Sequence, residues 1–191
     1  MDFGKVLLVG IGVVALFVVV VIAWYIGTYN SLVNSEQAVN AAWSQVENQY
    51  QRRADLIPNL VEIVKGYAKH ESSVLEEVTR ARSQWGEAKT QDDKMKAGEE
   101  MGSALSRLLV VSEAYPDLKA NSNFATLQAQ VEGAENRVST ERKRYIDIAQ
   151  EYNAQIKRIP TSIVADIYGY KPKPLFESDK GADKAPKINM T

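Results

Sequence analysis

The sequence predicts an all-α protein: an N-terminal transmembrane helix followed by an up-and-down antiparallel four-helix bundle with two long and two shorter helices. Three observations carry this prediction. An uncharged apolar run opens the chain, two long heptad grids follow, and strand-type alternation is nearly absent. The 191 residues suit one membrane segment plus one domain, and no internal repeat is visible.

Residues 6–26 carry no charge, and at 1.5 Å rise per residue such a run spans roughly 31 Å, matching the hydrocarbon core. Val, Leu, Ile and Phe dominate it, and on the insertion scale they sum to roughly −5 to −9 kcal/mol as an upper bound. The run exceeds a signal-peptide core, and Ala23-Trp24-Tyr25 lacks the small-x-small cleavage pattern, so residues 1–27 read as an uncleaved anchor. Trp24, Tyr25 and Tyr29 fall where an aromatic belt meets the headgroups. Ala23 and Gly27 form a small-xxx-small pair. Lys5 and the amino terminus precede the span, and no Lys or Arg follows before Arg52. That asymmetry predicts a single-pass inner (cell) membrane protein with a cytoplasmic N-terminus and an extracytoplasmic bundle.

Residues 28–160 form the predicted bundle. A grid from Tyr29 places Trp43, Tyr50, Ile57, Val64, Val78 and Trp85 at a, and Leu32, Val39, Val46, Leu60 and Ala81 at d. Glu36 and Glu71 at a, and Arg53 at d, interrupt it. A second grid from Phe124 places Val131, Val138, Tyr145, Tyr152 and Ile159 at a, with Leu127, Ala134, Glu141, Ile148 and Gln155 at d. Met95, Met101, Leu105, Leu108, Leu109 and Tyr115 mark a shorter helix between them. The unbroken register allows one helix to about Lys89, but Gly66 and the Ser73-Val74-Leu75-Glu76 capping box favour a turn at residues 66–72. Asp92 is the expected N-cap of the third helix, Pro116 its stop, and Asn121 to Asn123 the cap of the fourth. Pro58 removes the N–H that would bond the Ala54 carbonyl, so a kink or local break is expected, with Asp55 capping the restarted turn. Residues 161–176 form an apolar strip that packs on the bundle, with Leu175 and Phe176 as anchors, and residues 177–191 a mobile tail.

The sequence resembles the LemA family of bacterial membrane-anchored helical proteins. The resemblance rests on Tyr29-Asn30-Ser31-Leu32-Val33, on Gln51-Arg52-Arg53-Ala54-Asp55-Leu56-Ile57-Pro58-Asn59-Leu60-Val61, on Tyr67-Ala68-Lys69-His70-Glu71 and on Tyr115-Pro116-Asp117-Leu118-Lys119-Ala120-Asn121. Phe124, Leu127, Gln128, Glu135-Asn136, Arg142, Tyr145, Tyr152-Asn153 and Ile159-Pro160 extend it over about 150 residues. Ile146, where the family often has Asn, and Ile159, where Phe usually precedes the proline, depart from it. The resemblance implies a four-helix bundle on an N-terminal anchor and no established biochemical activity.

Composition excludes several function classes. The chain has no Cys, a single histidine (His70) and a net charge of −1. Thiolate chemistry, paired-histidine metal sites and a global phosphate-binding surface are therefore disfavoured. No G-x-S-x-G elbow or phosphate-binding loop is present, and Gly86, Gly98 and Gly102 are scattered. His70 and Glu71 are adjacent on a helix end and point about 100° apart, which suits solvent better than acid/base work. Glu76-Glu77, Glu99-Glu100 and Arg142-Lys143-Arg144 read as solvated helix faces. The expectation is a membrane-tethered scaffold or adaptor that binds other proteins, with no catalysis, cofactor or metal. The alternative is a homo-oligomeric membrane-organising assembly, and an uncharacterised enzyme ranks below both. The expected partners are the lipid bilayer, a membrane or envelope protein and a second copy of the chain, but no nucleic acid.

Candidate structural or interaction residues are Arg52, Arg53, Asp55, Pro58, Glu135, Glu141, Tyr168 and Tyr170. Arg53 and Glu141 occupy core-type positions, where an unpaired charge costs roughly 3 to 5 kcal/mol. Antiparallel pairing with Leu32 level with Ile159 sets Arg53 opposite Val138, within a turn of Glu141 and Glu135. An internal ion pair from Arg53 to one of these carboxylates is the expectation, with Arg53 reaching solvent as the alternative. The same register sets Glu36 opposite Gln155.

Overall fold

The computed structural model describes residues 3–176, and these residues are helical without strands. The predicted tail at 177–191 lies outside them. Six helices are present: α1 (Phe3–Tyr67), α2 (Ser72–Glu87), α3 (Gln91–Ser112), α4 (Pro116–Lys119), α5 (Ser122–Gln155) and α6 (Thr161–Tyr168). The described chain divides into two compact units, residues 3–42 with Asp147–Lys173, and Trp43–Ile146 with residues 174–176.

In the first unit, α1 begins as an apolar helix long enough to cross a membrane, with none of its most apolar stretch buried by protein. Leu7, Val14, Phe17 and Ile22 are all exposed. Hydrocarbon is the solvent that suits such a surface. Further along, Leu32, Val39 and Ala42 are buried, as are Ala149, Tyr152, Ile156, Val164 and Ala165. Gln155 Nε2 donates to Ser31 Oγ at 2.9 Å, and Lys173 Nζ pairs with Glu36 at 2.7 Å. The expected opposition of Glu36 and Gln155 is therefore wrong. Gln155 sits against Ser31, and Ile159 is 85% exposed rather than packed level with Leu32. The physical reason is pitch: a straight helix of 3.6 residues per turn drifts from a 3.5-residue grid, so burial on α5 passes from Tyr145 to Ala149, Tyr152 and Ile156. Gly169, at φ 71°, ends α6 in the left-handed conformation, and Tyr170 N donates to Ala165 O at 3.0 Å. The chain then runs beside α5, where Asn153 bonds both backbone groups of Lys173 at 2.8 and 2.9 Å.

The second unit is built on the first grid. Val46, Tyr50, Ile57, Leu60 and Val64 on α1, Val78 and Trp85 on α2, and Phe124, Val131 and Val138 on α5 are all buried. α2 packs on α3, whose buried face holds Met95, Met101, Leu105 and Leu108. Arg53 meets Glu135 while Tyr67 OH accepts from Asn121 Nδ2, so in this unit α1 and α5 run in opposite directions. The turn between α1 and α2 occupies residues 68–71, with Ala68 fully buried.

Three local expectations need correction. The N-cap of α2 is Glu71, without a side-chain cap bond, and Ser73 lies inside the helix, so no capping box forms. Glu71 instead accepts from Tyr115 OH at 3.0 Å, and that tertiary bond fixes its position. The N-cap of α3 is Thr90 rather than Asp92: its hydroxyl accepts from Asp93 N and donates to Asp93 Oδ2. α1 passes through Pro58 as one continuous helix, so there is no local break and Asp55 caps nothing. Asn121 caps α5 as expected, accepting from Asn123 N and Phe124 N. α3 ends at Ser112, and Pro116 opens the one-turn helix α4.

Candidate functional site

The most constrained polar group among the described residues is Arg53. It projects from the buried stripe of α1 and is 1% exposed. Its guanidinium bonds the Glu135 carboxylate of α5 and the Gly98 carbonyl of α3, and lies 5.0 Å from the centroid of the Tyr50 ring. Two glycines on α3 make room for it. A Cβ at Gly98 would stand 2.6 Å from the Tyr50 ring, and one at Gly102 would stand 3.2 Å from an Arg53 nitrogen. One helix turn of α3 is thus a notch that admits an aromatic ring and a cation from α1. Burial raises the Tyr50 phenol above its ordinary pKa of 10.0, which keeps the ring neutral beside Arg53. The site bonds three helices to one side chain, and it presents no nucleophile beside a base.

Next to it, Arg82 Nε of α2 donates to Ala54 O at 3.0 Å. Ala54 O is the carbonyl that Pro58 deprives of its helical N–H. A side chain from another helix thus supplies the donor that Pro58 removes, and α1 runs on through the proline.

A second constellation is aromatic. Tyr145 OH accepts from Gln91 Nε2 at 2.6 Å and donates to Pro174 O at 2.7 Å, while Trp43 and Phe176 lie 5.4 and 5.9 Å from its ring. Arg142 covers Phe176 at 4.2 Å and pairs with Glu99 at 2.7 Å. Burial pushes the Tyr145 phenol up to about 12. Tyr152, also buried, is pushed up to about 12, with Glu36 and Tyr170 adding to the effect. Within its own unit the Tyr145 hydroxyl holds the Pro174 carbonyl, and within the other unit the Tyr152 hydroxyl donates to Lys171 O at 3.3 Å.

The remaining predicted residues disperse. Arg52 and Pro58 are exposed, and Asp55 is an exposed acceptor for Gln51 Nε2 at 2.7 Å. Glu141 does not reach Arg53: one of its carboxylate oxygens is buried without a hydrogen bond, 3.9 Å from Arg144. Tyr168 accepts from Tyr25 OH at 3.1 Å and packs on Tyr29 at 4.7 Å. Tyr170 is partly buried, and its phenol is raised by burial first, then by Tyr29 and Glu36. Leu175 is 36% exposed, whereas Phe176 is seated in the aromatic socket. Sequence reasoning missed Gly98, Gly102 and Arg82. The first two carry a readable signal, since glycines four apart on one helix mark a face open to close approach.

The LemA family model matches residues 42–190, well over half of the chain. Magnetosome protein MamQ 2 of Paramagnetospirillum magneticum is 27% identical over 194 residues, covering 88% of this chain and 71% of its own length. Magnetosome protein MamQ of Magnetospirillum gryphiswaldense is 25% identical over 181 residues, covering 81% and 66% respectively. Protein LemA of Metamycoplasma hominis is 25% identical over 150 residues, covering 75% and 68%. With its apolar N-terminal helix and its all-helical fold, the chain belongs to the LemA family.

Proposed function

We propose that this protein is a membrane-tethered helical scaffold or adaptor that binds other proteins at the membrane and carries out no catalysis. The observation that supports it most is α1, in which one uninterrupted helix holds both an apolar, protein-free span and a buried heptad stripe. Such a helix ties a folded body directly to a bilayer without a flexible linker. In this reading residues 1–27 are the anchor, 28–160 an up-and-down four-helix bundle and 161–176 a strip packed on it. The anchor crosses the inner (cell) membrane with its N-terminus in the cytoplasm. Arg53 and Glu135 serve as a register lock between helices rather than as a reactive pair.

Crosslinking in the native membrane, followed by identification of the neighbours, tests the adaptor role. Recovery of a distinct membrane or envelope protein supports it. A homo-oligomeric assembly is the competing reading, favoured by the exposed Ala23 and Gly27 on the span. The mass of the detergent-extracted chain separates the two: a monomer supports the adaptor, a large closed array the assembly. Protease digestion of intact spheroplasts tests the orientation, and protection of the bundle until lysis would overturn it.

A further inference from the structure

α6 leaves an apolar face uncovered beside the membrane anchor. Val164 and Ala165 are buried, yet Ile163 and Ile167, one turn apart, are 56% and 63% exposed, and Ile159 just before the helix is 85% exposed. Covering Val164 and Ala165 already satisfies the fold, so the three isoleucines are surplus to packing within this unit. Their depth is fixed by α1. Tyr25, one residue short of the end of the apolar run, donates to Tyr168 at the end of α6, and Tyr29 one turn later packs against the same ring at a tilt of 46°. A groove of about 310 Å³ lined by Trp24, Gly27, Thr28, Ser31, Gln155 and Thr161 places the start of α6 beside the same end of the span. Lys157 and Arg158 stand exposed immediately before Ile159.

We propose that residues 157–168 form a platform in the lipid interface, with Ile159, Ile163 and Ile167 entering the headgroup–acyl boundary and Lys157 and Arg158 lying against anionic headgroups. The inference rests on the reading of residues 6–26 as a bilayer span. The exposed apolar face is tied to the membrane end of α1 by the cluster of Tyr25, Tyr29 and Tyr168. A short helix with such a face lies in the interface plane, buried about 5–10 Å, with basic residues at the polar level. Asp166, exposed on the flank of this face, belongs on the aqueous side.

The chain has no Cys, so single-cysteine variants of the full chain can carry an environment-sensitive fluorophore without further substitution. Val14→Cys reports the span, Ile163→Cys and Ile167→Cys report the platform, and Ser139→Cys on exposed α5 reports water. Each is reconstituted in phosphatidylcholine vesicles, with and without phosphatidylglycerol, and probed with nitroxide-labelled lipids and aqueous iodide. The expected result is blue-shifted emission at 163 and 167, quenched by nitroxides near the carbonyl level and little by iodide, and strengthened by phosphatidylglycerol. Val14 should be quenched by deep nitroxides and Ser139 by iodide only. Water-like emission at 163 and 167 while Val14 remains in lipid overturns the platform alone, whereas a water-like Val14 overturns the span. Protection at 163 and 167 from both quenchers means that protein covers the face, and this also overturns the proposal. If phosphatidylglycerol adds nothing, the role of Lys157 and Arg158 falls.

Discussion

Around Arg53 the helices meet through one buried cation, whereas around Tyr145 they meet through rings and hydroxyls. The Arg53 contact is tight and discrete: a carboxylate, a carbonyl and a ring face converge on a guanidinium, with two glycines clearing the way. The Tyr145 contact is broad, with Trp43, Phe176 and Arg142 each adding apolar area or a stacked charge to a surface that stays partly open. The difference teaches which faults each can absorb. A buried charge that loses a partner has nowhere to go, while a ring cluster that loses a hydroxyl keeps most of its burial. We propose that the first contact sets register, while the second supplies area.

The largest effect should come from stranding the cation. Glu135→Ala leaves a guanidinium that is 1% exposed without its counter-charge, and the expected loss is about 3 kcal/mol in a denaturant melt of the detergent-solubilised chain. Arg53→Met should cost less, because the Glu135 side chain is 52% exposed and rehydrates. Combining Arg53→Met with Glu135→Leu should recover part of the loss, with a coupling above about 0.5 kcal/mol. Additive losses would break the contrast between the two regions. Gly98→Ala comes next. Its Cβ would stand 2.6 Å from a rigid ring, so overpacking of about 1–3 kcal/mol should outweigh the helix-propensity gain of about 1 kcal/mol. Gly102→Ala, whose Cβ would stand 3.2 Å from a nitrogen of the Arg53 guanidinium, itself already held by Glu135 and the Gly98 carbonyl, should show a smaller loss than Gly98→Ala in the same melt.

The aromatic region should respond more gently. Tyr145→Phe keeps the ring but removes the bonds to Gln91 and Pro174, and a loss of about 1 kcal/mol is expected. It should also change the alkaline limb of stability. With the folded Tyr145 phenol raised from 10.0 to about 12, the unfolded chain releases a proton that the folded chain retains within that window. Stability is therefore full below about pH 10 and declines as pH rises towards 12. Melts across this range should show a shallower decline for Tyr145→Phe, while an unchanged slope would show that the phenol titrates alike in both states.

The contrast also explains what could be read in advance. The apolar stripes were legible because burial follows residue type at a fixed spacing: Leu32, Val39, Val46, Tyr50, Ile57, Leu60 and Val64 all fall on the first grid and are buried. That Arg53 needs either an internal partner or a path to solvent was also legible, since a charge in such a stripe has few solutions. The choice of Glu135 over Glu141 was not, because it depends on helix pitch accumulated over many turns. Caps were misplaced for a related reason. Asp92 and Thr90 are both good caps, and Glu71, which Tyr115 bonds from 44 residues away, holds the cap position in place of Ser73. The spacing of Gly98 and Gly102 marks a face open to close approach, but which side chains fill it is a pairwise fact that one helix's sequence does not carry.

The smallest expected effect tests why the charged region also tolerates a proline. Pro58 leaves Ala54 O without a helical donor, and Arg82 Nε supplies one at 3.0 Å. Arg82→Met should therefore cost about 0.5–1 kcal/mol in the native sequence, as expected for one hydrogen bond from a partly exposed donor. Pro58→Ala restores the N–H, so it should raise stability or leave it unchanged, by less than the roughly 3 kcal/mol that an unaccommodated proline costs in a regular helix. The decisive measurement is the double variant. With Ala at 58 the carbonyl is satisfied within α1, and Arg82→Met should then cost nothing beyond its lost surface contacts. If Arg82→Met costs the same in both backgrounds, Arg82 is not the substitute donor, and the continuity of α1 through Pro58 must come from the packing of Ile57 and Leu60 alone. A large loss on Pro58→Ala would mean that the helix relies on the ring itself, which is exposed and so has little packing to lose.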